Sequence, residues 1–175
     1  MAPRRTPDRA CQRGSGWFEF AVVAMVLAAL VGVLLQQVIE YQERAEKTAV
    51  DLTIRNLRSG LRWQIGQRMI HGGGSELPHL VGANPISWLE RPPPGYLGEK
   101  AGPADVQTGG GSWYFDRATN EVAYVPNFRG HLVVKSDGTG ELRWQLRTLK
   151  NVSRADVNPP VTEIVLVETE RYSWF

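Results

Sequence analysis

The sequence predicts an α+β protein, with a long N-terminal helix packed on an antiparallel β-sheet. Three observations lead there. No proline lies between Pro7 and Pro78, and that interval opens with an apolar run and continues as a charged, periodic segment. Further on, five short segments rich in β-branched and aromatic residues are separated by turn residues. Between helix and strands lies a Pro- and Gly-rich stretch with little periodicity.

The chain begins with a basic leader, residues 1–14, in which Arg4, Arg5, Arg9 and Arg13 stand against Asp8 alone. The whole chain carries 20 basic and 18 acidic residues, so its excess of +2 belongs to this leader. The remainder has no clustered basic surface of the kind nucleic-acid binding requires, and no nucleic-acid partner is expected. Cys11 is the only cysteine, which excludes an intramolecular disulfide and a cysteine metal site.

Residues 15–39 form the apolar part. Phe20–Leu35 contains no charge, and 17–39 amounts to 23 residues. That length suits a hydrocarbon core of about 30 Å. The arginines in front place the N-terminus on the cytoplasmic side by the positive-inside rule, with residues 41–175 across the membrane. A secretory signal would carry its small residues after the apolar run. Here Gly14, Ser15 and Gly16 come before it, and "QQVIEYQERAEK" after it offers no A-x-A-like site. Processing is therefore expected in front of the run, leaving the helix on the mature protein. Glu19 is the odd residue. A carboxylate at a helix centre in a bilayer costs about 2.5–3.5 kcal/mol on insertion scales, and less near an end. An amino terminus freed four residues earlier would be a partner for it, on the same molecule or a neighbour.

Residues 40–71 continue the helix as an amphipathic segment. Ala45, Ala49, Leu57, Leu61, Ile65 and Met69 fall on an i, i+4 series flanked by Leu52 and Ile54. Charges, Glu43 and Glu46 among them, are expected on the other faces. "HGGG" from His71 stops the helix. A continuous helix over 17–70 would measure about 80 Å.

Residues 72–112 read as a Pro/Gly-rich loop, too long for a bare connector. Ile86, Trp88, Leu89, Tyr96 and Leu97 are expected to pin it to the domain. Residues 113–175 carry the sheet. "SWYFD" and "EVAYVP" flank "RATN" as a hairpin, and "HLVVK" and "ELRWQLRTL" flank "SDGTG" with its Asp-Gly turn signal. In the fourth segment Leu142, Trp144 and Leu146 alternate with Arg143, Gln145 and Arg147, one apolar face turned inward. "VTEIVLVETERY" makes the fifth strand. Five strands in sequence order need their apolar face covered, and the lower half of the helix is the natural cover.

Enzymatic residues are sparse. His71, His79 and His131 are far apart and have no metal-ligand spacing. Neither "GGGS" continues into the Lys-Ser/Thr of a phosphate loop, and no G-x-S-x-G occurs. Asp137 and Glu141 beside the Asp-Gly turn read as a plain turn before a cation site. No catalytic activity, cofactor or metal is expected.

A basic leader ending in glycine, a glutamate five residues on and an apolar helix together resemble the type IV prepilins and the related type II secretion pseudopilins. The resemblance covers about the first quarter of the chain. It implies that a membrane prepilin peptidase cuts between Gly14 and Ser15 and methylates the amine of Ser15. It also implies that Glu19, fifth in the mature chain, acts in assembly with other pilin or pseudopilin subunits at the inner membrane. Ser15 stands where the family usually has phenylalanine. The helix-kinking proline and C-terminal disulfide loop of many major pilins are missing, which points to a minor or accessory subunit. The stretch "NPISWLERPPPGYLGE" followed by "GSWYFDRATNEVAYVPN" is similar to accessory pilins of the mannose-sensitive haemagglutinin type. The rival expectation is a single-pass signal-anchor protein with a periplasmic binding domain, uncut and indifferent to Glu19.

Overall fold

The proline-free interval forms one continuous helix, α1, Ser15–Ile70. A computed structural model describes residues 15–71, 74–102, 109–135, 140–150 and 162–175. The chain divides into two units, Met1–Tyr41 and Gln42–Phe175.

In the first unit α1 is apolar and exposed from Gly16 onward, with Trp17, Phe20 and Met25 each more than two-thirds accessible. This part of α1 is long and apolar enough to cross a membrane. Burying a large aliphatic or aromatic side chain is worth about 1.5–3 kcal/mol relative to leaving it in water. A run of this length therefore needs lipid or other helices around it.

In the second unit α1 lays an apolar stripe on the sheet. The buried residues are Val50, Ile54, Leu57 and Leu61, with Ile65 partly covered. This differs from the strict i, i+4 series. Ala45, Ala49 and Met69 are exposed, and so is Leu52. The reason is geometric: at 3.6 residues per turn each i, i+4 step drifts by about 40°. Only alternating steps of three and four, as in 50–54–57–61, stay on one face. The helix ends where "HGGG" begins, with the His71 ring Nδ1 2.8 Å from the Gln67 carbonyl.

The region expected to be loop contains structure. A 3₁₀ turn at Gly74–Leu80 buries Leu77 and Leu80. A second, Pro85–Trp88, is capped by Asn84, whose Oδ1 accepts from the Ile86 amide at 3.0 Å. Ile86 is buried, and Trp88, Leu89 and Tyr96 pack on the core as expected, whereas Leu97 is exposed. Strand β1, Tyr96–Lys100, was not expected. It runs parallel to β2, Ser112–Asp116, with a register irregularity between Tyr96 and Glu99. Gly98 sits there at φ 84°. A glycine-interrupted edge strand has no clean alternation to betray it.

Strand β3, Glu121–Val125, pairs antiparallel with β2. The expected hairpin between "HLVVK" and "ELRWQLRTL" does not form. Instead β5, Leu142–Lys150, pairs antiparallel with β3, bringing Val122 against Trp144. Strand β4, Leu132–Val134, is only three residues long, with Leu132 and Val134 half-covered and Val133 exposed, and could not seal the buried face of β5. The expected fifth strand splits. Strand β6, Thr162–Glu168, pairs antiparallel with β5, while β7, Tyr172–Trp174, turns away to pair antiparallel with β4. The result is a five-stranded sheet, ordered β1-β2-β3-β5-β6, and a separate β4-β7 ribbon. The fold is α+β as expected, with a mostly antiparallel sheet. Leu142, Trp144 and Leu146 point into the core, Trp144 stacking on Trp113 at 5.7 Å.

Candidate functional site

Ser15 is the first residue of α1, and Glu19 follows one turn later. Residues four apart on a helix are surface neighbours, and helical side chains lean toward the N-terminus. Glu19 thus shares a helix face with position 15, just beyond the first turn of α1. Glu19 is exposed, ringed by exposed Trp17, Phe18 and Phe20. Gly14, the expected cleavage residue, lies outside the described residues.

Two further carboxylates on α1 do what the sequence did not suggest. Glu43 and Glu46 were expected on solvent faces. Glu43 is 3 % exposed. Its Oε1 accepts from the His131 amide at 2.8 Å and from Trp174 Nε1 at 3.1 Å, and its Oε2 lies 2.9 Å from His131 Nδ1. Burial alone would raise the pKa of Glu43. The hydrogen bonds from His131 and Trp174 outweigh it and hold the carboxyl below its ordinary range. One turn later Glu46 accepts from the Tyr124 hydroxyl at 2.6 Å and from the amides of Asn127 and Phe128 at 2.7 and 3.0 Å. Burial, then the bond to Glu46, raises the pKa of Tyr124. The two glutamates thus satisfy the backbone of the β3–β4 connection, which makes no strand ladder there. His131 stacks on Phe175 at 4.6 Å, and the Arg44 guanidinium lies over the same ring at 5.1 Å. A signal for Glu43 did exist: it lies seven residues before Val50, in line with the buried stripe.

A third cluster occupies the other face of the sheet. Cross-strand register puts Tyr114, Ala123 and Arg143 side by side, with Asp116 opposite Glu121. The Arg143 Nη1 donates to Asp116 Oδ2 at 3.3 Å and Glu121 Oε2 at 3.0 Å. Its Nη2 donates to Glu141 Oε2 at 2.7 Å and to the Tyr114 hydroxyl oxygen at 2.9 Å, and that hydroxyl donates to the same Glu141 oxygen at 2.7 Å. Burial would lower the pKa of Arg143, but its bonds to Glu121 and Glu141 carry it upward instead. Burial and the bond to Glu141 raise that of Tyr114. Glu141, read from sequence as part of a turn, belongs to this network, while Asp137 lies outside the described residues. Every carboxylate of the cluster already faces the one guanidinium, which makes it a structural tie across three strands. Among the described residues no group of three or more His, Cys, Asp or Glu is arranged to hold a metal ion. His71 caps the helix, and His79 lies exposed in the first 3₁₀ turn.

Comparison with protein-family models, curated proteins and solved structures finds no match to this chain.

Proposed function

We propose that this chain is a pilin-like structural subunit, a minor pilin or pseudopilin, anchored by α1 in a bacterial inner membrane with its sheet domain periplasmic. What supports the reading above all is the spacing of Gly14 and Glu19 in front of an exposed apolar helix that continues into a sheet-covered domain. In this reading the prepilin peptidase hydrolyses the Gly14–Ser15 bond. The leader leaves with a carboxylate at Gly14, and the new amine at Ser15 takes a methyl group from an external methyl donor, losing a proton. The apolar helix holds the subunit in the bilayer until it joins other subunits. Glu19 then pairs with the terminal amine of a neighbouring subunit. Two unpaired charges in an apolar filament core would each be costly, so pairing fixes the axial register of one subunit on the next.

The test is the intact mass and N-terminal sequence of the full chain recovered from membranes that contain or lack a prepilin peptidase. Loss of residues 1–14 and a methylated Ser15, only with the peptidase, is the expected result. An intact Met1 in both samples overturns the proposal and leaves a signal-anchored protein.

A further inference from the structure

Strand β6 closes one end of the main sheet, with the 3₁₀ turn Gly74–Leu80 packed against part of it. The strand ends the order β1-β2-β3-β5-β6 and among the described residues pairs only with β5. Edge strands are usually blunted by proline, lysine, a bulge or a cover. The segment "TEIVLVE" has four consecutive β-formers, Ile164 to Val167, and neither proline, glycine nor lysine. Its pairing with β5 runs without irregularity over all seven residues.

Beside this edge lies a cleft of about 260 Å³ between α1 and β6. Leu61 and Ile65 of α1 and Ile164 and Leu166 of β6 form its apolar walls, and Arg58 and Arg62 stand on the helix bank. Both arginines are exposed, and neither forms a salt bridge among the described residues. The single acidic side chain in the cleft, Glu163, leaves it net positive. This belongs to a wider asymmetry: from Leu52 to Ile70, α1 carries Arg55, Arg58, Arg62 and Arg68 and no Asp or Glu.

We infer that the cleft receives an extended, acidic segment of a partner protein, added to β6 as a sixth strand. A new strand would lie about 4.8 Å from β6. The outer backbone of β6, which pairs with no second strand among the described residues, would supply the main-chain hydrogen bonds, and the flanking groove would choose among side chains. Side chains on its helix-facing side would be apolar where they meet the partly exposed Ile65, and carboxylates where they meet Arg58 and Arg62. Charge complementarity sets the partner's sign. The open edge sets its conformation.

The probe is a fluorescein-labelled synthetic peptide, Thr-Val-Thr-Glu repeated, which places Val and Glu on one face of a strand. It is titrated against the full chain in detergent micelles, with amide hydrogen exchange read on the same samples. Saturable binding is expected, with new protection on residues 162–168. The Arg58→Glu/Arg62→Glu double variant should weaken it by about tenfold or more, as charge reversal at a complementary interface does. A peptide with Lys for Glu should fail on the unaltered chain and bind the double variant, which shows that the variant's groove is intact. Absence of saturation, equal binding of both peptides, or protection elsewhere overturns the inference. So does a dimer of the unaltered chain, protected at residues 162–168, because the edge would then belong to a second copy.

Discussion

Replacing Glu43 with alanine removes the acceptor for three donors at once: the His131 amide, the His131 ring and Trp174 Nε1. Trp174 is buried, so its indole N–H cannot turn to water. An orphaned buried donor costs about 1–3 kcal/mol. His131 is half-exposed, and its two nitrogens recover part of their loss from solvent. The expected total is about 2–4 kcal/mol of domain stability. Glu43→Gln keeps an oxygen where Oε1 stands and serves both N–H groups there, so it should cost only about 1 kcal/mol. The assay is urea unfolding of the full chain in micelles, followed by tryptophan fluorescence. Acid titration adds a second reading. A carboxyl whose folded pKa is depressed gives its full stabilisation above the unfolded value, about 4.3 for glutamate, and loses it as pH falls through the folded value. The unaltered domain should therefore weaken below about pH 4.3, and Glu43→Gln should lack that part of the acid limb. The reasoning fails if alanine stays within about 0.5 kcal/mol of the parent, the scatter of ordinary surface changes, or if glutamine costs as much as alanine.

Other perturbations separate the remaining parts of the molecule. Arg143→Met strands three carboxylates around Tyr114 and should cost about 3–5 kcal/mol by the same unfolding assay, as breaking a buried ion network does. Gly66→Ala should add about 0.8–1 kcal/mol, because a Cβ there meets nothing within 4 Å and alanine is the better helix former. Gly95→Ala should be strongly destabilising, since its Cβ would crowd the Gly111 carbonyl oxygen at a φ of 75°; a melting temperature equal to the parent's would refute this. If the pilin-like proposal holds, Glu19→Ala should leave domain stability unchanged while abolishing incorporation into filaments, scored in sheared-filament fractions.

Legibility in the sequence followed how local the cause was. The single helix could be read because proline was missing over a long interval. The inward face of β5 could be read because Leu142, Trp144 and Leu146 alternate with charged and polar neighbours. Pairing could not be read. The Asp-Gly signal argued for a local β4–β5 hairpin, but β3 and β5 each bury a broad face, and burying those two together outweighs one turn preference. Strand β1 was hidden by Gly98, and its parallel partner lies beyond a crossover that leaves no short-range mark. Glu43 and Arg143 looked like solvent charges because composition does not reveal which polar residue has a buried backbone or carboxylate waiting for it. At the helix N-terminus the expectation for Gly14, Ser15 and Glu19 rests on their spacing and the resemblance it carries, and the fold of the domain does not bear on it.

The bond between Trp174 and Glu43 joins residues 131 positions apart. As the chain is made from its N-terminus, α1 is complete well before β7 exists. Until Trp174 docks, Glu43 has lost water and gained only part of its hydrogen bonding. The core beside it, including Leu132 and Val134, lacks its lid. Contacts of such high sequence separation slow folding, because the chain must close a long loop before any of that burial is realised. Closure of the core over Glu43 therefore waits on the delivery of β7, Tyr172–Trp174.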